Sequence, residues 1–302
     1  MGGSSNCHAR SNSLPTRPHP LVTECDEHLC RLKALDSAPW TAPAMVKKLA
    51  GLQDLQECVN KLLLLRRTME AFAAQRREKW VDEIFDGSLR LLDLCSAAKD
   101  GVIHTKECVR ELQSLVRRRS SFSGCCGNGV AKQVEKYLVS RKVVIRAIQK
   151  SLASIKTYGT KPSSVAVKDT ETMALIALLF DVEATSVNVV EALMCYVLGK
   201  KGKAKGNGWA LVSKLMRSKK GPLREGVKEG EENEFATVDA AVDMVASRLP
   251  FDNVVAVRDG IESMGDQLGK LEACVQDLEG GLEGLFRRLI RNRVLLLNII
   301  NN

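Results

Sequence analysis

Apolar residues recur along most of the chain in steps of three and four, the spacing that places them on one face of an α-helix. The stripe between residues 41 and 63 consists of Met45, Leu49, Leu52, Leu55, Val59, Leu62 and Leu63. Comparable stripes run through residues 78–119, 130–157, 169–198 and 235–249. The pattern predicts an all-α fold, an elongated antiparallel helical bundle with several long helices.

The C-terminal segment carries the most regular of these stripes. Its seam positions alternate steps of four and three, and they are Val257, Ile261, Met264, Leu268, Leu271, Val275, Leu278, Leu282, Leu285, Leu289, Asn292, Leu296 and Ile299. This heptad spacing predicts one long helix with a coiled-coil seam, whose single polar residue would set the register. The seam packs either against the other long helices, which we favour, or against a second copy in a homodimer. Gly-rich residues 280–284 weaken the helix as a free-standing rod.

Residues 1–21 form a different kind of segment, rich in Ser and Pro, basic and free of acidic residues. This composition predicts a disordered tail. Residues 22–301 are predicted to form a single helical domain, because the periodicity continues through them. Flexible charged loops are expected at residues 119–129, 158–168, 199–208 and 219–233.

Composition agrees with packed helices. Apolar residues make up 45% of the chain and aromatic residues only 4%, so Leu, Val, Ile and Ala must build the core. No stretch reaches the roughly 18 uninterrupted apolar residues of a spanning helix, and the N-terminus lacks the apolar region of a signal peptide. We therefore expect an intracellular and most simply cytoplasmic protein. Membrane association is an alternative, and chloroplast import is a less favoured one.

The ten cysteines include no C-x-x-C pair. Cys25, His28 and Cys30 come nearest to a metal-ligand arrangement, but they fit a single turn on the surface of a helix better than a zinc site. Cys58, Cys95, Cys195 and Cys274 lie within apolar stripes and are interpreted as small buried hydrophobic residues. No metal and no cofactor is predicted.

The net charge of +9 is concentrated in one segment, because no Asp or Glu occurs between residues 192 and 224. The basic residues that define this patch are Lys200, Lys201, Lys203, Lys205, Lys214, Arg217, Lys219 and Lys220. They form either a solvated loop balanced by the acidic linker that follows, which we favour, or a surface for an anionic partner. A membrane surface fits better than nucleic acid, because few aromatic residues interleave with the lysines.

The tail offers a candidate docking peptide. Arg10 stands three residues before Ser13, and Pro15 stands two residues after it. This is the arrangement of a phosphopeptide ligand of 14-3-3 proteins, in which phosphorylated Ser13 would supply the charge that an arginine cluster grips. A plain tail is the alternative. Catalytic residues are not predicted, since the sequence has no G-x-S-x-G, H-E-x-x-H or P-loop motif.

Several ordered segments together resemble a known family. They include RSNSLPTRPHPL (10–21), LAGLQDLQECVNKLLLL (49–65), KWVDEIFDGSLRLLDLCSAAKD (79–100), KECVRELQSLVRRR (106–119) and LEGGLEGLFRRLIRNRVLLLNIIN (278–301). On these segments the chain resembles the plant-specific BYPASS-like family over residues 10–301. Arg10, Ser13 and Pro15 lie within the family's own N-terminal pattern, so the 14-3-3 hypothesis rests on peptide chemistry alone.

The resemblance implies a role in root and shoot development and supplies no catalytic residues. We therefore expect a non-enzymatic helical protein that regulates by binding other proteins. The first alternative is a peripheral membrane adaptor that uses the basic residues 200–220. The second is an enzyme acting on the precursor of a small mobile signal, which is not favoured.

Overall fold

A computed structural model describes residues 19–120, 127–157, 170–200, 233–248 and 254–301. Within these ranges the chain forms eight α-helices and no strand. They are α1 (Pro20–Ala34), α2 (Ala42–Leu63), α3 (Arg66–Ala74), α4 (Lys79–Ser120), α5 (Gly127–Thr157), α6 (Thr170–Val197), α7 (Glu234–Arg248) and α8 (Val254–Asn301), with a 3₁₀-helix at Leu35–Ser37. The prediction of an all-α fold is confirmed.

Helix boundaries differ from the prediction at two places. The tail predicted for residues 1–21 ends earlier, because Pro20 and Leu21 already belong to α1, where His19 Nδ1 accepts a hydrogen bond from Leu21 N at 3.2 Å. The loop predicted at 119–129 is helical at both edges, because α4 continues to Ser120 and α5 begins at Gly127. Residues 158–168, 201–208 and 219–232 of the other predicted loops lie outside the described residues.

The long C-terminal helix organises the bundle. Helix α8 packs against α2, α4 and α7 along its length, and α4 in turn packs against α5 and α6. Ion pairs between α4 and α8 run in opposite sequence order: Lys99 pairs with Glu283, and Arg110 pairs with Glu272 at 3.3 Å. The two helices are therefore antiparallel.

The heptad seam of α8 lies inside this chain. Its residues from Ile261 to Ile299 are buried, including Asn292, and Val257 at its start is partly buried. The helix also continues without interruption through residues 280–284. Contact with a second copy would therefore use a different face of α8.

Helix α6 is the described helix that is long and apolar enough to cross a membrane, with a mean hydropathy of 1.7 over its most apolar window. Of that window, 44% is buried within the protein. The helix packs against α1 through α5. Its exposed positions are Thr170, Glu171, Ala174, Ala177, Asp181, Ala184 and Asn188. Packing on one broad side accounts for the apolar composition of α6.

Candidate functional site

The basic segment begins where α6 ends, and this end has a defined cap. Gly199 has a φ of 73°, the left-handed conformation that favours glycine. Its N–H donates to the Tyr196 carbonyl at 2.9 Å, and the N–H of Lys200 donates to the Cys195 carbonyl at 3.1 Å. The chain therefore turns sharply away from α6 directly before the basic residues.

Asn233 fixes the other end of the same segment. Its Oδ1 accepts hydrogen bonds from Phe235 N at 2.9 Å and Ala236 N at 3.2 Å, which caps α7. Its Nδ2 donates to the carbonyl oxygens of Tyr196 at 2.8 Å and Lys200 at 3.1 Å. The chain on either side of residues 201–232 is thus joined by one buried side chain.

Tyr196 connects this anchor to three other helices. Its hydroxyl donates to the Glu234 carboxylate of α7 and lies 3.2 Å from Cys274 Sγ of α8. The same carboxylate accepts a hydrogen bond at 3.2 Å from Ala42 N, at the start of α2. Burial, reinforced by Cys274, raises the pKa of Tyr196 well above its usual value, and burial raises the pKa of Cys274 to about 12. The phenol therefore stays protonated and acts as a structural donor.

Arg141 ties α5 to the same region through a buried ion pair. Its side chain is 5% exposed, and its Nε lies 3.0 Å from both carboxylate oxygens of Asp239. Nη2 donates to the Val197 carbonyl at 2.7 Å, and Tyr137 donates to Asp239 at 3.0 Å. Nη1 is buried and has no hydrogen-bond partner within the ranges that the structure describes. This buried charge is compensated by Asp239 and fixes α5 against α6 and α7.

A second cluster of buried polar side chains joins α2, α6 and α8. Asn292 Nδ2 donates to the carbonyl and the Oε1 of Gln56 at 2.9 and 3.0 Å, and Asn60 Nδ2 donates to Asn292 Oδ1 at 2.8 Å. Gln56 Nε2 donates to Ser186 Oγ at 3.0 Å. These buried side chains satisfy one another, and they determine which turn of α8 faces which turn of α2.

Apolar side chains remain exposed near the C-terminal end of α8. Ile290, Val294 and Leu297 are 43%, 48% and 40% exposed, and their spacing of four and three places them on one face. We call these three residues the α8 stripe. A groove of about 300 Å³ lies beside α3 and α8, and its lining residues are Leu63, Leu64, Arg66, Met69, Glu70, Ala73, Leu295, Asn298 and Ile299. This end of the molecule therefore offers apolar surface on two sides of one helix.

Most of the residues predicted to bind partners lie outside the described residues. This is true of Arg10, Ser13 and Pro15 in the tail, and of the basic patch after Lys200. The residues of the patch concerned are Lys201, Lys203, Lys205, Lys214, Arg217, Lys219 and Lys220. Lys200 itself is partly buried, and its Nζ lies 3.8 Å from Cys195 Sγ. The structure therefore defines the start of the basic patch and the anchor on its far side.

The three residues considered for metal binding on α1 face different surroundings. Cys25 is buried against Cys58, His28 Nδ1 lies 3.3 Å from Arg31 Nη2, and Cys30 is exposed. The described part of the chain contains no group of three or more metal-ligating side chains. The interpretation as a surface turn is wrong for Cys25. Cys25 stands four residues before Leu29 and seven before Leu32, both buried, and this helical spacing was the signal that places it on the packed face.

The sequence did not identify Arg141, Tyr196 or Asn233 as members of a polar cluster. Each stands alone within an apolar stripe or beside a loop. Only the packing of α5, α6 and α7 brings them together. A charged residue within the stripe of α5 was the available signal for Arg141, because a buried cation requires a partner.

Comparison with family models decides the relationship that the sequence segments suggested. The model described as Protein BPS1 matches residues 48–299, which is most of the chain. The chain belongs to the BPS1 family. The match runs from within α2 to the last turn of α8, so α1 and the tail precede it.

Membership of the BPS1 family confirms the resemblance to BYPASS-like proteins. It fits a plant developmental regulator of unknown biochemical action. A search of curated proteins and a search of solved structures each found no match.

Proposed function

We propose that this BPS1-family protein is a non-enzymatic regulator of plant root and shoot development that acts by binding another protein. The observation that carries the proposal is the α8 stripe, three adjacent apolar side chains that are each at least 40% exposed on one helical face. Contiguous exposed apolar surface on a folded domain is typical of an interaction site. The groove beside α3 extends this surface around the same helix.

The charges around the α8 stripe indicate what kind of partner fits. Four arginines lie in the same part of α8, namely Arg287, Arg288, Arg291 and Arg293. Glu283 accepts from Arg287 at 2.9 Å, and Glu57 lies 3.4 Å from Arg291. A second copy would bring further arginines to this face, whereas an amphipathic helix with acidic residues beside its apolar face would add opposite charges. The proposed occupant is therefore such a helix from another protein.

A double substitution within the α8 stripe tests the proposal. Val294→Glu together with Leu297→Glu removes apolar surface and adds charge of the same sign as the expected partner. We expect affinity purification from plant tissue to lose a specific partner, and the purified helical segment of that partner to bind at least 10-fold more weakly by calorimetry. The variant should also fail to restore root and shoot growth in plants that lack the protein.

The matched control is Val139→Glu together with Val143→Glu on α5, where the original side chains are 56% and 52% exposed. It changes the same chemistry at another place and should leave partner binding and growth unchanged. Both variants should retain the far-ultraviolet circular dichroism of the parent protein. Equal loss of the partner in both variants, or in neither, would contradict the assignment to α8.

A peripheral membrane adaptor is the second candidate function. It is supported by the anchor that Gly199 and Asn233 provide, because this anchor holds the two chain ends that flank residues 201–232 close together on the bundle. If the candidate is correct, the full chain should pellet with anionic vesicles at low salt and not with neutral vesicles. Substitution of Lys201, Lys203 and Lys205 by Ser should reduce pelleting. Failure to pellet with anionic vesicles rejects this candidate.

The 14-3-3 hypothesis for the tail is tested separately with peptides. A peptide of residues 7–20 phosphorylated at Ser13 should bind purified 14-3-3 protein, and its unphosphorylated counterpart should bind at least 10-fold more weakly. Equal binding of the two peptides would reject the hypothesis. Neither outcome affects the proposal for α8.

A further inference from the structure

Cys25 on α1 and Cys58 on α2 bring two buried thiols into direct contact. Their Sγ atoms lie 2.7 Å apart, and the two residues are 0% and 1% exposed. A disulfide bond has an S–S length of about 2.0 Å, so an approach of about 0.7 Å separates this pair from covalent bonding. The next contact of Cys58 is the Leu21 carbonyl, at 3.5 Å from its Sγ.

Contacts on both sides hold the two cysteines in this register. Beyond one side of the pair, Lys61 of α2 lies 3.7 Å from Glu24 of α1. Beyond the other side, Lys48 of α2 lies 3.5 Å from Asp36, which follows α1. Leu29 and Leu32 share the buried face of α1 with Cys25. The antiparallel packing of α1 on α2 therefore places the two thiols opposite each other.

We propose that Cys25 and Cys58 form a reversible intramolecular disulfide that staples α1 to α2 when the surrounding thiol pool becomes oxidised. The oxidant is a small-molecule disulfide of the glutathione class. One cysteine loses its proton to water and attacks a sulfur atom of the oxidant, and half of the oxidant leaves as a thiolate. The second cysteine then attacks the mixed disulfide and releases the other half. Two protein thiols lose two electrons and two protons, and one oxidant molecule yields two thiols.

The surroundings of the pair determine when this reaction proceeds. Burial raises the pKa of both thiols, with the neighbouring thiol adding to the effect at Cys25, so both remain protonated in the packed state. The thiolate is the reactive form, so the first attack requires α1 to separate transiently from α2. The exposed Cys30 on the same helix has no such protection. The buried pair therefore responds to sustained oxidation and resists a brief exposure.

The covalent bond would change the freedom of α1. Without it, α1 is held by noncovalent contacts with α2 and α6, including the exposed ion pair between Lys33 and Asp181 at 3.4 Å. With it, local separation of α1 ends, and the loop closed by residues 25 and 58 loses conformational freedom in the unfolded chain. The staple thus links the redox state of the surroundings to the stability of the N-terminal helix.

The test uses the purified full-length chain equilibrated in glutathione buffers of increasing oxidation. Free thiols are then blocked with a maleimide, the protein is digested, and the linked peptides are mapped by mass spectrometry. We expect one dominant link, between the peptides that contain Cys25 and Cys58, which disappears on return to reducing buffer. The unfolding temperature should rise by about 5 °C on oxidation.

Three variants make the outcome specific. Cys58→Ser and Cys58→Ala should abolish both the link and the rise in unfolding temperature, and the second variant serves if the buried hydroxyl of the first prevents folding. The matched control is Cys30→Ser on the same helix, which should retain both effects. If Cys25 and Cys58 remain free thiols in a buffer that fully modifies Cys30, the proposal is wrong. A dominant link of Cys25 to any other cysteine overturns it equally.

Discussion

Asn292 shows how one polar side chain can be both predictable and incompletely understood from sequence. Its place in an otherwise apolar seam predicts a role in register. The structure supplies the partners, which are Gln56, Asn60 and, through Gln56, Ser186. None of these three could be assigned in advance, because each lies on another helix and the facing turns are set by packing. The sequence therefore indicated that Asn292 has a polar role in the seam, but it did not indicate which side chains Asn292 contacts.

Substitution of Asn292 by Ala should destabilise the protein. The change leaves Gln56 Oε1 and Asn60 Nδ2 buried without their partner, which costs about 1–3 kcal/mol of unfolding free energy. Denaturation in urea measures the effect. Asn298→Ala, six residues further along α8 at the edge of the groove, is the control and should change the unfolding free energy by less than about 0.5 kcal/mol. Equal losses in the two variants would argue against a special role for the buried amide.

At the scale of the element, the glycines of α8 lie where α2 packs closely against it, which the sequence did not indicate. Residues 280–284 were expected to weaken a free-standing rod. In the bundle, Gln53 Nε2 of α2 donates to the Gly281 carbonyl at 2.7 Å. A Cβ at Gly284 would lie 3.1 Å from the same Gln53 nitrogen, so α2 and α8 come close here. The helix continues through its glycines because a neighbouring helix supports it.

Two other glycines give opposite predictions for the same substitution. Gly280 has open space around the position of an added Cβ, so Gly280→Ala should raise the unfolding free energy by about 0.5–1 kcal/mol through helix propensity. At Gly87 an added Cβ would meet the carboxylate of Glu183, which pairs with Arg90 at 2.8 Å. Displacing this carboxylate from Arg90 outweighs the gain in helix propensity, so Gly87→Ala should lower the unfolding free energy by about 1 kcal/mol.

Thermal and urea denaturation of the two variants, compared with the parent, check these signs. Both positions lie within helices, so both substitutions gain helix propensity. The expected difference in unfolding free energy therefore comes from packing. Stabilisation by both substitutions would mean that the Glu183 carboxylate moves aside without cost.

At the scale of the whole molecule, the apolar periodicity was sufficient to predict the helices but not to predict which helices pack against each other. The stripes of α2, α4, α5, α7 and α8 were all predicted from apolar spacing, and they form the core. The pairing of α8 with both α2 and α4 was not predicted. An apolar stripe shows that one face of a helix is packed, but it does not show which helix packs against it. Cys25 makes the same point: it was predicted on a helix surface, although its spacing from Leu29 indicated the packed face, and nothing in the sequence indicated its partner Cys58.

The unfolding free energy should fall as the pH rises above 9. Burial raises the pKa values of Cys95 and Cys274 from 9.0 to about 12. Between these pH values the unfolded chain releases protons that the folded chain retains. Stability is therefore complete below pH 9 and declines by up to about 1.4 kcal/mol per pH unit for each such thiol.

Urea denaturation from pH 7 to pH 11 with a phosphine reductant measures this decline. Cys95→Ala should reduce the slope above pH 9 by up to about 1.4 kcal/mol per pH unit, because one of the contributing thiols is then absent. An unchanged slope would show that this thiol ionises equally in the folded and unfolded chain. Cys30→Ala is the matched control, because Cys30 is exposed and should leave the slope unaltered.

The hydrogen bonds that Asn233 makes to Tyr196 and Lys200 have a practical consequence for protein engineering. Because its amide joins the carbonyls of Tyr196 and Lys200, the chain that enters and leaves residues 201–232 meets at one place on the surface of the bundle. The entropy of closing a flexible loop grows only with the logarithm of its length, about 0.6 kcal/mol for each doubling. A fluorescent reporter inserted there, or a new pair of chain termini, would be tolerated by the eight helices. Residues 201–232 are therefore a suitable insertion site for tagging the protein in living tissue.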